Sequence, residues 1–424
     1  MAAFNDPDLR VYTAFVERYA PTVRPYVDDD LSVREVTGGC ELLAAEINEG
    51  TITATVRDRA WDRRSRVVLS AKGADHLEDI SFLVAPGGDA QERLDDATLI
   101  DRVHTKLGAE GAAGRFSGTT LISRGEKVLL TVDHGFADEA KVVPITPSTR
   151  FCIGSMGKLF TTVAVMQLVE QRRLSLSDPL LKHLTDYPNR SLAEQVTIER
   201  LLTHTGGTGD IFGPPYDPAV HRTPSDILRL YGARAPVFAP GSRWGYSNYG
   251  FVLLGAVIEK LEGRPYEAVI AERIFAPAGM TKTSQGHASP YPTALPFTGA
   301  AATRLRPLTP YEGLPAGGGY STVEDLHGFA TALRRGRLVR PETLRDMLTP
   351  RVAAGAARWA LGVPIRERGG LTYWGHGGSA PGVNADLAVY GDKAVVVLAN
   401  RGHPAATVVA DFIGARISLA PDAG

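Results

Sequence analysis

The chain has 424 residues, of which 44% are hydrophobic, which is enough apolar material for a large buried core and for two domains. Its 46 basic and 47 acidic residues leave a net charge of −1, so the chain has no excess of positive charge to attract nucleic acid or an anionic membrane. The ten histidines occur singly and the only cysteines are Cys40 and Cys152, so no cluster has metal-ligand spacing. We therefore expect no metal, no cofactor, and no nucleic-acid or membrane partner.

The N-terminal residues, Met1 to Arg10, are charged and lack the apolar core of a secretion signal. No run approaches the ~18 apolar residues that span a bilayer. We expect a cytoplasmic protein with two free thiols, in which Cys152 is a small core residue rather than a second catalyst.

Residues 1–88 predict a small α+β domain. A helical pattern runs from Asp8 to Ala20, and Pro21 ends it. Four strand-like segments follow at residues 41–46, 51–56, 66–70 and 80–84. A helix followed by a meander of this order resembles nuclear-transport-factor-like or cystatin-like folds. We expect this domain to act as a scaffold, and the alternative is that it lines a substrate entrance.

Residues 89–424 predict a larger domain, joined to the first by a linker at Pro86 to Asp89. A helix from about Gln91 to Leu107 opens it, and a hairpin of residues 116–122 and 128–132 is expected to share a sheet with the strands at 386–390 and 394–398. Further helices are expected after Ser155, Asn248, Ser321 and Pro341, the third with a capping box at Ser321 to Glu324.

The tetrapeptide Ser155-Met156-Gly157-Lys158 lies where a short apolar strand gives way to a long helical run. A spacing of three residues places the lysine beside the serine on one helical face, where its amine could activate the hydroxyl. Taken alone, the tetrapeptide also fits a helix start with an exposed lysine.

Two further motifs follow at wide spacing. Tyr246-Ser-Asn248 lies in a turn rich in glycine and serine just before an apolar helix, so that its polar side chains can project into a cleft. His376-Gly377-Gly378-Ser379 precedes two strands, and its glycines let backbone N–H groups approach a ligand closely; a plain β-bulge and hairpin is the alternative.

The three motifs together resemble the signature of the serine β-lactamase-like superfamily, which holds class C β-lactamases, DD-peptidases, esterases and acyltransferases. The resemblance covers residues 108 to 417 and extends to the segments that begin at Leu201, Pro315 and Pro341. It implies an α+β fold, in which helices flank an antiparallel sheet beside an all-helical region. The small N-terminal α+β domain would be an addition to that fold.

The resemblance also implies roles for individual residues. Ser155 would be the acylated nucleophile, and Lys158 and Tyr246 would move the protons, although which of the two is the base in acylation stays open. The backbone N–H groups of Ser155 and Ser379 would form the oxyanion hole. Substrate would be bound by Asn248, His376, Gly377 and Gly378.

One position departs from the family pattern. His376 stands where β-lactamases and many DD-peptidases of this superfamily carry lysine, and a mostly neutral imidazole is a poor partner for a substrate carboxylate. An α/β-hydrolase needs Gly-x-Ser-x-Gly around its nucleophile, but the residue two before Ser155 is Ile153. A P-loop would need glycine at position 152, which is Cys152.

These residues predict a serine hydrolase acting on an ester or amide of a small metabolite, with an esterase favoured over a β-lactamase. An acyltransferase using the same acyl-enzyme, or a sensor that is acylated without turnover, are the alternatives. A small acyl substrate is the expected partner, and self-association into a homo-oligomer stays open. His204 is interpreted as a turn or core residue rather than a metal ligand.

Overall fold

The computed structural model describes residues 1–6, 8–22, 27–71, 77–84, 91–138, 140, 142–211, 215–298, 306–307 and 312–420. Within them lie a four-stranded and an eight-stranded antiparallel sheet, together with two pairs of short strands. The predicted linker at Pro86 to Asp89 lies outside the described residues.

The N-terminal region consists of three helices followed by a meander. The elements are α1 (Ala2–Asn5), α2 (Leu9–Tyr19), α3 (Val27–Thr37), β1 (Cys40–Asn48), β2 (Thr51–Asp58), β3 (Arg64–Ala71) and β4 (Leu77–Val84). Helix α2 confirms the predicted helix. The Asp8 side chain caps it by accepting a hydrogen bond from the Arg10 N–H. The four predicted strands are confirmed in the order β1-β2-β3-β4. Helix α3 was not predicted, since its acidic start gives a weak apolar pattern.

This region has its own apolar core between the helices and the sheet. Phe4, Tyr12 and Val16 from the helices pack with Val56 and Val67 from the sheet. A separate core supports the division into residues 1–88 and 89–424, which remains a proposal.

The remaining helices are α4 (Asp96–Ala112), α5 (Lys158–Glu170), α6 (Leu180–His183), α7 (Arg190–Gln195), α8 (Ile198–Leu202), α9 (Pro224–Tyr231), α10 (Asn248–Glu262), α11 (Tyr266–Ile270), α12 (Ala276–Ala278), α13 (Val323–Arg334), α14 (Pro341–Met347) and α15 (Ala405–Gly414). The remaining strands are β5 (Gly118–Arg124), β6 (Lys127–His134), β7 (Phe151–Cys152), β8 (Phe297–Thr298), β9 (Arg306–Pro307), β10 (Tyr320–Ser321), β11 (Val352–Ala354), β12 (Ala357–Trp359), β13 (Pro364–Arg368), β14 (Leu371–Ala380), β15 (Val383–Tyr390) and β16 (Lys393–Ala399).

The large sheet runs in the order β11-β12-β13-β14-β15-β16-β5-β6. The predicted hairpin is confirmed, and it joins the C-terminal strands where Leu121 of β5 pairs with Val396 of β16. The predicted start of α4 and the predicted capping box of α13 were wrong. Helix α4 begins at Asp96, after the N-cap Asp95, and α13 is capped by Thr322, which accepts from the Asp325 N–H at 3.2 Å. The capping residue therefore lies one position later than Ser321.

Alternate side chains of the large sheet enter two different cores. In β16, Val396 and Leu398 pack toward the helical region that contains α5 and α10, whereas Val395 and Val397 pack toward α4 and α15. This alternation follows from the two-residue period of a strand. The sheet is thus covered on both faces, and the helical region lies on one side of it.

The N-terminal region packs against α15. The Trp61 ring lies 6.1 Å from the Phe412 ring, and Arg63 forms an ion pair with Asp411 at 3.0 Å. Trp61 also donates its indole N–H to the Val36 carbonyl at 3.0 Å, which holds the turn between β2 and β3 in place. That turn therefore reaches the large sheet.

Candidate active site

Ser155 lies in a 3₁₀ turn, Gly154–Gly157, between strand β7 and helix α5. Lys158 is the first residue of α5 and is fully buried. The predicted change from strand to helix at Ser155 is therefore observed. The turn places the Lys158 amine 3.2 Å from the Ser155 hydroxyl oxygen.

The Lys158 amine has two other polar contacts among the described residues. It lies 2.6 Å from Asn248 Oδ1 and donates to the Ala316 carbonyl. Both partners are carbonyl oxygens, which only accept hydrogen bonds. No sequence pattern indicated a role for Ala316 beyond its place in the glycine-rich segment after Pro315.

That glycine-rich segment packs directly on the nucleophile turn. Gly317 has φ of 139°, and a Cβ atom at this position would lie 2.7 Å from the Gly154 carbonyl oxygen. A side chain would therefore push the segment away from Ser155. The close approach lets the neighbouring Ala316 carbonyl reach Lys158.

The surroundings of Lys158 disfavour its charged form. Burial lowers the pKa of Lys158 to about 7, and the nearby negative charge of Asp210 opposes this shift. The amine lies 4.8 Å from the centre of the Tyr246 ring and 5.5 Å from that of Phe251. Phe160, two residues after Lys158, packs against Phe275 and Phe329 in the core.

Tyr246 also contacts Ser155. Its hydroxyl is within hydrogen-bonding reach of the Ser155 side chain, and burial raises the pKa of Tyr246. The segment that carries it ends at Ser247, whose side chain caps α10 by accepting from the Gly250 N–H. Because the pKa of Tyr246 is raised, its phenol stays neutral at neutral pH.

Asn248 is the first residue of α10, and both polar atoms of its side chain are occupied. Its oxygen contacts Lys158, and its amide nitrogen donates to Asp210 Oδ2 at 3.1 Å. The structure thus places Asn248 as a bridge between an amine and a carboxylate. Its predicted role in binding substrate stays a prediction. The sequence patterns predicted no role for Asp210.

The His204 ring packs against the Tyr246 ring. The two ring centres are 4.4 Å apart, and His204 Nδ1 accepts the Ser247 N–H at 3.1 Å. Burial, with a smaller effect from the Lys158 charge, keeps the pKa of His204 well below its ordinary value. This buried residue has φ of 56°, and its ring also packs on Trp359 at 4.7 Å. It is thus a core residue that contacts the site.

Strand β14 brings the third motif against the nucleophile turn. A Cβ atom on Gly378 would lie 1.9 Å from the Ile153 carbonyl oxygen, so only glycine permits this approach. Ser379 follows directly, and an added Cβ atom on Gly154 would lie 3.0 Å from its backbone nitrogen. The backbone of Ser379 therefore borders the turn that holds Ser155.

His376 is buried in the same strand and is uncharged. Burial, reinforced by the nearby charge of Lys158, lowers the pKa of His376 to about 3. Its Nδ1 lies 2.6 Å from the Gly377 carbonyl oxygen, so this nitrogen carries the proton and donates it. The Nε2 atom is buried with no hydrogen-bond partner among the described residues. No permanent positive charge stands at this position.

A cavity of about 780 Å³ opens on these residues. Ser155, Tyr246 and His376 line one part of it, and Trp244 and Trp359 add aromatic walls. The cavity extends along β13 to the N-terminal turn, where residues 61–64 line it.

Across the described part of the chain, no group of three His, Cys, Asp or Glu side chains is arranged to hold a metal ion. None of the described helices is both long and apolar enough to cross a membrane.

Curated proteins similar to this chain include penicillin-binding proteins and an esterase. PbpX of Bacillus subtilis, a proposed penicillin-binding protein, is 32% identical over 247 residues, which cover 55% of this chain and 59% of PbpX. Esterase EstB of Burkholderia gladioli is 29% identical over 325 residues, which cover 67% of this chain and 80% of EstB. The chain thus spans less than two thirds of the first of these relatives.

Solved structures show the same fold. A penicillin-binding protein from Bacillus halodurans has a TM-score of 0.63 and 31% identity, covering 75% of this chain and 98% of that one. An octameric penicillin-binding protein homologue from Pyrococcus abyssi has a TM-score of 0.64 and 27% identity, covering 73% of this chain and 75% of that one. Both comparisons confirm the expected α+β fold.

The family described as Beta-lactamase matches residues 98–419 of this sequence. The match covers the nucleophile turn, the Tyr246 segment and strand β14 together. It confirms the resemblance that the three motifs indicated. The chain therefore belongs to the beta-lactamase family.

Proposed function

We propose that this protein is a serine hydrolase that forms an acyl-enzyme on Ser155 with an ester or amide of a small metabolite. The observation that carries the proposal is the contact of Lys158 Nζ with Ser155 Oγ at 3.2 Å inside a cavity of about 780 Å³. The similarity to EstB supports an ester, and the similarity to PbpX supports the wider class of acyl-enzyme chemistry.

Lys158 is suited to accept the proton from Ser155. A neutral amine has two N–H bonds and one lone pair, and two of its three contacts, Asn248 Oδ1 and the Ala316 carbonyl, are acceptors. When these two take the N–H bonds, the lone pair is left toward the Ser155 hydroxyl. With a pKa of about 7, Lys158 is neutral in roughly half of the molecules at neutral pH.

Tyr246 is suited to the opposite transfer. Because its pKa is raised, it holds its proton at neutral pH and can donate it to the leaving group of the first step. The same phenol would then help to activate the incoming water. These proposed roles rest on the protonation states at neutral pH: the lowered pKa of Lys158 leaves a neutral amine that can accept a proton, whereas the raised pKa of Tyr246 keeps its proton on the phenol.

The backbone N–H groups of Ser155 and Ser379 are proposed to bind the oxyanion. The close packing of Gly378 on the carbonyl of Ile153 brings the two backbones together. A donor of this kind stabilises the transition state by about 3 kcal/mol. Gly377 and Gly378 would support the acyl group along the same strand.

The value of kcat/KM for a neutral aryl ester is expected to rise about tenfold per pH unit below pH 7 and to level off above it, because only neutral Lys158 accepts the proton. Tyr246 should cause no fall in rate below its ordinary pKa of about 10. Buried His204 and His376 stay neutral in the fold but gain a proton when unfolded, so stability decreases as the pH falls below 6.5.

The rate profile is therefore measured alongside circular dichroism at each pH, over the range in which the fold is intact. A flat profile between pH 5.5 and 8.5 would remove the titration of Lys158 from the mechanism.

Short-chain aryl esters are expected to have at least about tenfold higher kcat/KM than penicillins or cephalosporins. The carboxylate of a β-lactam lies close to its scissile amide, where neutral His376 offers it no charge-assisted hydrogen bond. Parallel kinetics on both substrate classes give the ratio. A higher value for the penicillin would show that His376 does not mark the loss of carboxylate recognition.

Two alternatives use the same site. An acyltransferase would pass the acyl group to an alcohol or amine, which shows as product formed in preference to hydrolysis when that acceptor is added. A sensor would be acylated without steady turnover. Measuring the burst and the steady rate of p-nitrophenol release therefore tests the proposal: one equivalent of burst followed by continued release supports a hydrolase, and a burst alone supports the sensor.

Assembly and location are also proposals. The octameric homologue supports self-association of this chain, which light scattering on the purified protein tests. The cytoplasmic location expected from the sequence stays a prediction that cell fractionation tests. The N-terminal region, through residues 61–64, is proposed to wall the far end of the cavity as well as to pack on α15.

A further inference from the structure

The cavity that opens on Ser155 is rich in arginine. Its lining includes Arg63, Arg64, Arg358, Arg366, Arg368 and Arg416. The acidic residues that line it are Asp62, Glu367, Asp386 and Asp411. An excess of guanidinium groups in a concave site raises the local concentration of anions.

Some of these arginines have structural partners. Arg368 forms ion pairs with Asp386 at 3.2 Å and with Asp411 at 2.7 Å. Arg63 pairs with Asp411 at 3.0 Å and with Asp58 at 3.3 Å. Their charges are balanced within the fold.

Arg358 and Arg366 are different. Within the described part of the chain, neither guanidinium forms an ion pair or a hydrogen bond with another residue, although each lines the cavity. They lie on neighbouring strands, because Arg358 of β12 pairs in register with Ile365 of β13. Arg358 is exposed and Arg366 is half-buried. Directly paired residues point to the same face of a sheet, so Arg358 shares a face with Ile365, and Arg366, one residue later, points to the other face. Each guanidinium lines the cavity without a partner among the described residues.

The charge of Arg366 reaches the catalytic groups. It lowers the pKa of both Tyr246 and His376, in each case as a smaller effect than burial. Arg366 pairs in register with Tyr373, which precedes His376 by three residues on β14, or roughly 10 Å along the strand. The charge of Arg366 is thus displaced along the sheet from the position of His376.

Resting on the proposed hydrolase function, we propose that Arg366 is the anion subsite of this active site. The substrate is an ester or amide that carries a carboxylate several bonds away from its scissile carbonyl. A planar guanidinium can bind a carboxylate through two parallel hydrogen bonds, and an unpaired arginine in a partly buried wall is available to do so. Carboxylates attached directly beside the scissile bond would be too close to reach it.

The test compares p-nitrophenyl esters of matched acyl length, one neutral and one ending in a carboxylate. The pairs are pentanoate with glutarate and hexanoate with adipate. The wild-type protein is expected to show at least about tenfold higher kcat/KM for the carboxylated member of one pair, mainly through a lower KM, and the preference should shrink with added salt.

Arg366→Gln should reduce this ratio of kcat/KM at least about fivefold, and Arg366→Lys should retain part of it. Arg358→Gln should have a smaller effect because its side chain is exposed. Arg190→Gln is the matched control: it removes the same charge from an exposed helix position that does not line the cavity, and both rates should be unchanged.

Absence of any carboxylate preference in the wild type, or a preference that survives in Arg366→Gln, would overturn the subsite. Failure of the proposed function gives a different result, since even the neutral esters would then leave Ser155 unacylated.

Discussion

Replacing Ser155 with alanine is expected to reduce ester turnover at least about 10⁴-fold. The Ser155 oxygen is the only hydroxyl within hydrogen-bonding distance of Lys158 Nζ among the described residues, and it also lies within reach of the Tyr246 hydroxyl. Removing it leaves the oxyanion donors in place but no atom to carry the acyl group. Steady-state kinetics on a neutral aryl ester and labelling by a fluorophosphonate probe measure the loss.

The matched control for this variant is Ser177→Ala. Ser177 is exposed in the loop after α5, and among the described residues its hydroxyl forms a hydrogen bond with Ser175 alone. We expect the control to keep wild-type turnover, and both variants to keep the wild-type melting temperature within a few degrees. Turnover of Ser155→Ala within tenfold of wild type would assign the nucleophile to another residue.

Replacing Lys158 with methionine is expected to lower kcat/KM at least about 10³-fold. Methionine fills the same buried volume without a lone pair on nitrogen, so it cannot take the Ser155 proton. The remaining activity should also lose the rise in rate with an apparent pKa of about 7, because that titration belongs to Lys158. A pH profile of the variant alongside the wild type measures both effects.

Lys158→Arg separates the lone pair from the positive charge. Arginine keeps a cation beside Asn248 and the Ala316 carbonyl but stays protonated throughout the accessible pH range. If Lys158 acts as the base, Lys158→Arg should be as inactive as Lys158→Met. Recovery by arginine to within tenfold of wild type would mean that Lys158 contributes a charge and that Tyr246 accepts the proton.

The parts of the site that could be predicted from the sequence are those encoded over a few residues. The three-residue spacing from Ser155 to Lys158 fixes their contact, because it places both on one side of a single turn. The glycines of the third motif likewise indicated a close backbone approach, which Gly378 makes on the carbonyl of Ile153. Four strands of the large sheet, β5, β6, β15 and β16, were recognisable because they are short apolar runs between turns.

The parts that could not be predicted depend on long-range packing. Asp210 and Ala316 reach Lys158 from two loops whose conformations no local pattern determines. Arg366 enters the cavity only because β13 pairs with β14 in one register. Asn248 was assigned to the substrate from the motif alone, and its occupation by Lys158 and Asp210 became visible only in three dimensions.

The most direct test of the central claim is the site of acylation. The protein is mixed with an aryl ester, quenched within the burst phase, and measured by intact mass before digestion with trypsin. Cleavage after Arg150 and Lys158 releases the peptide 151–158, which contains both Ser155 and Cys152. Fragment ions distinguish these two residues. We predict one acyl group per chain, carried by Ser155 and absent from Ser155→Ala. An acyl group on Cys152 or on any other peptide, or steady turnover by Ser155→Ala, would contradict the mechanism.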